Sequence, residues 1–226
     1  MTGKFIVIEG PDGSGKSEQL KRIITRIPSE IVVHTTHFPQ YEESSSYFVR
    51  EYLAGNYGTL DEMGPYETSL FYAMDRYDAS VKRLTPWLKA NGTIVLDRFV
   101  ASNMGHQGAK IENKSERMQF FTWLYELEYG TLKIPKPDLN IILHMPAEVS
   151  LELRKKRAEK ETAPLKKDIH EADLAHLQKT EKIYLEIAEL FPDDFTVVEC
   201  VENGKLLSIE AIHEKVWAIA SKTLGL

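Results

Sequence analysis

The run Phe5-Ile6-Val7-Ile8-Glu9 leads directly into Gly10-Pro11-Asp12-Gly13-Ser14-Gly15-Lys16-Ser17, and no other junction constrains the fold as strongly. The loop fits G-x-x-x-x-G-K-[S/T] without a departure, a β-forming run enters it, and a helical pattern over 16–27 leaves it. Glycines let successive backbone N–H groups curl around phosphate oxygens, and the following helix adds the positive end of its dipole. Gly10, Pro11, Asp12, Gly13, Ser14, Gly15, Lys16 and Ser17 are therefore read as a nucleotide triphosphate cradle. Lys16 supplies a mobile charge for the β- and γ-phosphates, and the Ser17 hydroxyl suits Mg²⁺.

A strand feeding such a loop needs parallel neighbours, and the chain offers them. Ile31–Val33, Thr93–Leu96, Leu139–Met145 and Phe195–Val198 are further strand candidates. Helical patterns lie at about 44–54, 65–90, 115–130, 148–160, 168–190 and 208–223. Apolar strands alternating with helices predict an α/β fold, a parallel sheet with helices on both faces. Ligands then bind beyond the carboxyl ends of the strands. With 226 residues and no linker-like tract, residues 1–226 read as one domain.

Composition narrows the partners. A formal charge of −6 argues against a chain-wide nucleic-acid surface. No apolar run approaches membrane-spanning length, and Phe5–Ile8 is too short for a secretion signal. The single cysteine, Cys200, forms no internal disulfide or cysteine cluster and reads as a core thiol, so a cytoplasmic setting is expected. The nearest approach to a guanine-reading Asn-Lys-x-Asp string, Asn113-Lys114-Ser115-Glu116, ends in Glu and opens a helix with Ser115 as its cap. A switch GTPase is not supported.

On the acceptor side, Asp97-Arg98 ends the Thr93–Leu96 strand, where a carboxylate can meet Mg²⁺ and a guanidinium can bridge two phosphates. Tyr72 and Arg76 are four apart on one helical face, able to stack a base and to donate to its edge.

These residues, with Phe38-Pro39-Gln40-Tyr41, Asp97-Arg98-Phe99-Val100-Ala101-Ser102-Asn103 and Gln107-Gly108, resemble the thymidylate kinases, from about residue 4 to 200. The resemblance implies a P-loop NTPase fold with a five-stranded parallel sheet and a helical lid at about 152–170. It also implies a homodimer and transfer of the γ-phosphoryl of ATP to dTMP. Carried over, Asp12 holds the dTMP 3′-hydroxyl, while Lys16 and Arg98 bind the transferred phosphoryl and the acceptor phosphate. Tyr72 stacks on thymine, Arg76 donates to its O4, and Ser102, Asn103 and Gln107 line base and sugar. Phe38 and Tyr41 approach the monophosphate, His106 shapes the sugar region, and Ser17 and Asp97, joined by Glu9, surround Mg²⁺.

Some members of that family carry an arginine directly after the loop Asp. Here the position is Gly13, and the resemblance then implies a catalytic arginine in the lid, for which the basic stretch Arg154-Lys155-Lys156-Arg157 offers Arg154 first and Arg157 second. The stretch departs from the family in reading Asp168-Ile169 where Asp-Arg is common, and in its density of lysines. A helix start at Asp168 and Glu171 is the structural alternative. Two other readings remain: a kinase for another pyrimidine monophosphate, and a nucleotide-binding switch without transfer activity.

Overall fold

The structure, a computed structural model, describes residues 3–59, 62–160 and 174–226, and of residues 154–160 the backbone alone. Strands β1 (Phe5–Glu9), β2 (Val33–His34), β3 (Thr93–Asp97), β4 (Leu139–His144) and β5 (Phe195–Glu199) form a five-stranded parallel sheet in the order β2-β3-β1-β4-β5. All of β1 is buried, as its unbroken apolar run requires of a central strand. The second strand begins two residues later than the sequence suggested. Val33 and His34 pair with Thr93 and Ile94, whereas Val32 is exposed at the sheet edge.

The helices are α1 (Lys16–Arg26), α2 (Tyr47–Leu53), α3 (Pro65–Ala79), α4 (Thr85–Lys89), α5 (Val100–Gly108), α6 (Lys114–Tyr125), α7 (Ala147–Lys160), α8 (Leu174–Leu190) and α9 (Ile209–Leu224). A π-helical turn over Ser80–Leu84 joins α3 to α4, and another over Glu126–Thr131 prolongs α6. A short antiparallel hairpin, β6 (Val201–Glu202) with β7 (Lys205–Leu206), follows the sheet.

Strand side chains alternate between two cores. Phe5, Val7, Ile94, Leu96 and Ile142 pack with Phe99 and Met104 of the α5 region, Phe120 and Leu124 of α6, and Ile183 and Tyr184 of α8. Ile6, Ile8, Val95, Ile141 and Leu143 face the other way, onto Ile23 of α1 and Ile212 and Val216 of α9. Each such fully buried aliphatic or aromatic side chain stabilises the fold by about 1.5–3 kcal/mol. Cys200 belongs to this second core, and burial pushes its thiol up to about 12.

Two local expectations change. The cap of α6 is Asn113, whose Oδ1 accepts from the N–H groups of Ser115 and Glu116, so Ser115 lies inside the first turn rather than before it. α5 was not anticipated, and it forms one wall of the site described next.

Candidate active site

The register pairs Ile8 with Asp97 on one side and with Ile141 on the other. The loop after β1 therefore opens where the sheet's connections diverge, at the carboxyl ends of the central strands. Gly10 has φ +138°, and a Cβ there would lie 2.7 Å from the Leu143 carbonyl oxygen, so no larger residue fits. Gly15 (φ +87°) makes the left-handed step into α1. The Lys16 side chain folds back inside the loop, its Nζ donating to the carbonyls of Gly10 (3.0 Å) and Pro11 (2.9 Å) and lying 4.0 Å from Asp12.

Below the loop, Ser17 Oγ donates to Asp97 Oδ2 at 2.7 Å. The second oxygen, Asp97 Oδ1, is buried and has no hydrogen-bond partner among the described residues. An orphaned carboxylate oxygen beside a hydroxyl fits a hard divalent cation held mainly by phosphate oxygens. Glu9 is arranged differently. Its Oε1 accepts from the N–H groups of Phe99 (2.7 Å) and Ser102 (3.2 Å), and its Oε2 from Ser102 Oγ (2.7 Å) and Tyr184 Oη (3.2 Å). Every acceptor position of this carboxylate is thus used, three on the start of α5 and one on Tyr184 of α8, and it does not join Ser17 and Asp97. Burial raises the Glu9 pKa above its ordinary 4.5, although the Ser102 and Phe99 hydrogen bonds oppose the shift.

Arg98 follows β3 in a left-handed conformation (φ +69°), its own N–H held by the Ile8 carbonyl at 3.0 Å. The guanidinium forms an ion pair with Asp12 and reaches Ser102 Oγ at 3.4 Å and His106 Nε2 at 3.1 Å. Because arginine only donates, His106 Nε2 accepts, which places the imidazole proton on Nδ1, 3.3 Å from His176 Nε2 of α8. His176 was not among the residues singled out from the sequence.

A cavity of about 270 Å³ opens beside the loop. Its walls include Asp12, Phe38, Tyr41, Tyr72, Arg76, Arg98, Ser102, Asn103, His106 and Gln107, so the residues the resemblance allots to the acceptor meet one space, apart from Lys16 in the loop beside it. Pro39, Leu53 and Phe99 complete the lining and were not anticipated in that role. Gln107 is 1% exposed, and its Oε1 has no hydrogen-bond partner among the described residues. Asn103 is tied to α3 instead, its Nδ2 donating to the Ser69 carbonyl at 3.2 Å.

Two supports behind the cavity carried no sequence signal. Asp75 takes Gln40 N–H at 2.8 Å and Ser45 Oγ at 2.6 Å, clamping the Phe38–Tyr41 turn to α3. Glu128, in the π-helical turn, is fully buried and forms a bidentate pair with Arg76, itself 2% exposed. Burial works against the Arg76 charge, and the Glu128 carboxylate outweighs it, so the net shift of the Arg76 pKa is upward. Arg154 and Arg157 fall on the backbone of α7, but their side chains, like the rest of the expected lid through 170, lie outside the described residues.

Comparison with known proteins agrees with this geometry. Residues 8–216 match the family model described as thymidylate kinase. The thymidylate kinase of Mycobacterium tuberculosis is 30% identical over 187 residues, covering 81% of this chain and 85% of that protein. The thymidylate kinase of Latilactobacillus sakei is 28% identical over 201 residues, 88% of each chain. That of Limosilactobacillus fermentum is 30% identical over 196 residues, 85% of each. With the phosphate loop, the Asp97-Arg98 step and the cavity all falling inside the matched span, the chain belongs to the thymidylate kinase family.

Proposed function

We propose that this protein is a dTMP kinase that transfers the γ-phosphoryl of ATP to dTMP, giving dTDP and ADP. The observation that carries the reading is one cavity lined by ten acceptor-side residues, with Asp12 and Arg98 at the edge of the phosphate loop.

The division of labour follows from position. Loop N–H groups and Lys16 hold the donor phosphates, Lys16 exchanging the Gly10 and Pro11 carbonyls for phosphate oxygens. Arg98 stands between loop and cavity, where it meets the acceptor phosphate and the phosphoryl in transit. Asp12 receives the acceptor 3′-hydroxyl, and Tyr72, Arg76, Asn103 and Gln107 receive base and sugar. The unpaired Gln107 oxygen supports this, since a buried acceptor gains most from a ligand donor. Phe38 and Tyr41 flank the monophosphate, and Ser102 and His106 hold Arg98 in place.

Ser17 and Asp97 would hold Mg²⁺, which supplies charge neutralisation on the phosphates. Glu9 is assigned to positioning Arg98 and α5 rather than to the metal. No strong base is required, because the attacking acceptor phosphate is already ionised. Arg154 and Arg157 supply the charge that Gly13 does not, from a lid at about 152–170.

The active unit is a homodimer of single-domain protomers working in the cytoplasm. Supporting the dimer, Tyr66, Leu70, Met74, Tyr77 and Val81 line one exposed face of α3 and its continuation. No helix among the described residues is long and apolar enough to cross a membrane.

ADP release measured across dTMP, dUMP, dCMP, UMP and AMP tests the acceptor. dTMP should give the highest kcat/KM, and a preference for dCMP or AMP would overturn the assignment.

A further inference from the structure

Arg76 is nearly inaccessible to solvent, yet it lines the cavity. Glu128 engages its Nε and Nη2, so Nη1 is the edge through which the guanidinium can meet a ligand. An unpaired arginine so deeply buried would be strongly disfavoured, and a singly bonded one would pivot about its long side chain. The bidentate grip removes both problems and fixes the guanidinium plane. Glu128 reaches this place because a π-helical turn over Glu126–Thr131 widens the end of α6. The turn is tied down by Leu132 N–H on the Leu127 carbonyl (2.8 Å) and Ile134 N–H on the Glu128 carbonyl (3.1 Å).

Resting on the dTMP kinase reading, we infer that Glu128 is a specificity-determining positioning residue, which touches no substrate and aims one Arg76 N–H at a carbonyl on the base edge. Thymine presents the O4 acceptor at that edge, and cytosine presents an amino donor. A guanidinium held by two bonds cannot swing away from an amino group or rotate to admit a bridging water. Cytosine therefore sets its amino donor against the Arg76 donor, a mismatch that a rigid site rejects strongly. The discrimination resides in the pair, with Arg76 as the contact and Glu128 as the anchor.

The test compares kcat/KM for dTMP and dCMP in the wild type, Glu128→Gln and Glu128→Asp. Glu128→Gln keeps the shape but replaces one acceptor oxygen with a donor facing the guanidinium. The dTMP-to-dCMP ratio should narrow by about tenfold or more, chiefly through a higher KM for dTMP, with kcat changed less. Glu128→Asp keeps the buried charge, and thus the fold, but shortens the reach. It should narrow the ratio in the same direction and to a smaller extent. Thermal melting reports stability separately, so a purely structural role would lower Tm and leave the ratio unchanged. An unchanged ratio in the folded variants overturns the inference. Failure of the wild type to phosphorylate dTMP would overturn the parent reading instead, which keeps the two failures apart.

Discussion

Arg98 occupies a left-handed backbone conformation that costs a non-glycine residue about 1–2 kcal/mol. The conformation persists because the surroundings over-determine it. The Ile8 carbonyl holds its N–H, Glu9 holds the N–H of Phe99, and Asp12, Ser102 and His106 receive its guanidinium. Strain stored beside a phosphate loop is consistent with a group pre-organised for developing charge. Arg98→Ala should lower kcat by at least about a hundredfold while leaving ATP affinity within a few-fold, because the loop and Lys16 remain. Steady-state kinetics paired with ATP titration would check this. Retained turnover would remove Arg98 from the transfer step. The same residues show where sequence reading stops. Glu9 next to a phosphate loop suggests a metal ligand, and only the folded structure reveals that its four acceptor positions are taken by the start of α5 and by Tyr184 of α8.

At the scale of elements, the long apolar strands and the loop–helix junction were legible because they follow simple periods. α5 was not, for a physical reason. It carries Gly105 and Gly108 in its span and turns Ser102, Asn103, His106 and Gln107 towards the cavity, which destroys the apolar period. Gly105 is required by close packing, since a Cβ there would lie 2.9 Å from the Tyr184 ring of α8. The β6–β7 hairpin did have a signal, Asn203-Gly204, and both residues adopt positive φ as a tight two-residue turn demands. Glu128 had none, because nothing local distinguishes a buried acid in a π-helical turn from its exposed neighbours.

The root of α7 also belongs to this scale. His144 at the end of β4 lies between Glu181 of α8 (3.0 Å) and Glu199 of β5 (2.6 Å), and Glu181 also accepts from the Ala147 N–H that begins α7. Lys215 of α9 contacts the Glu199 carbonyl at 3.4 Å. Burial opposes the His144 charge, but the Glu181 and Glu199 hydrogen bonds raise its pKa above 6.5. A raised histidine pKa gives stability that is full below the unfolded value and lost as pH rises through the folded one. As pH rises from below 6.5 through the raised folded pKa, the wild type should therefore lose more Tm than His144→Gln does. Parallel slopes for the two proteins would dissolve this link.

At the scale of the whole molecule, one face of the sheet is closed by α1 and α9 and the other by α5, α6 and α8. The α3 face that carries Tyr66, Leu70, Met74, Tyr77 and Val81 remains exposed in a single chain. Five large apolar side chains in one stripe are more than scattered surface residues, and a second copy of the chain would bury them. Leu70→Glu with Met74→Lys should convert dimer to monomer in analytical ultracentrifugation at micromolar concentration. An unchanged sedimentation coefficient would place the interface elsewhere. The wild type sedimenting as a monomer would remove the dimer altogether.

The proposed activity is one event, the passage of a phosphoryl group from the loop at Gly10–Ser17 to a ligand in the neighbouring cavity. Incubation with γ-labelled ATP, Mg²⁺ and dTMP, followed by separation of the products, measures it directly. Label should appear in dTDP, formed one-for-one with ADP and only when dTMP is present. Label released as inorganic phosphate at a rate indifferent to dTMP would contradict the transfer.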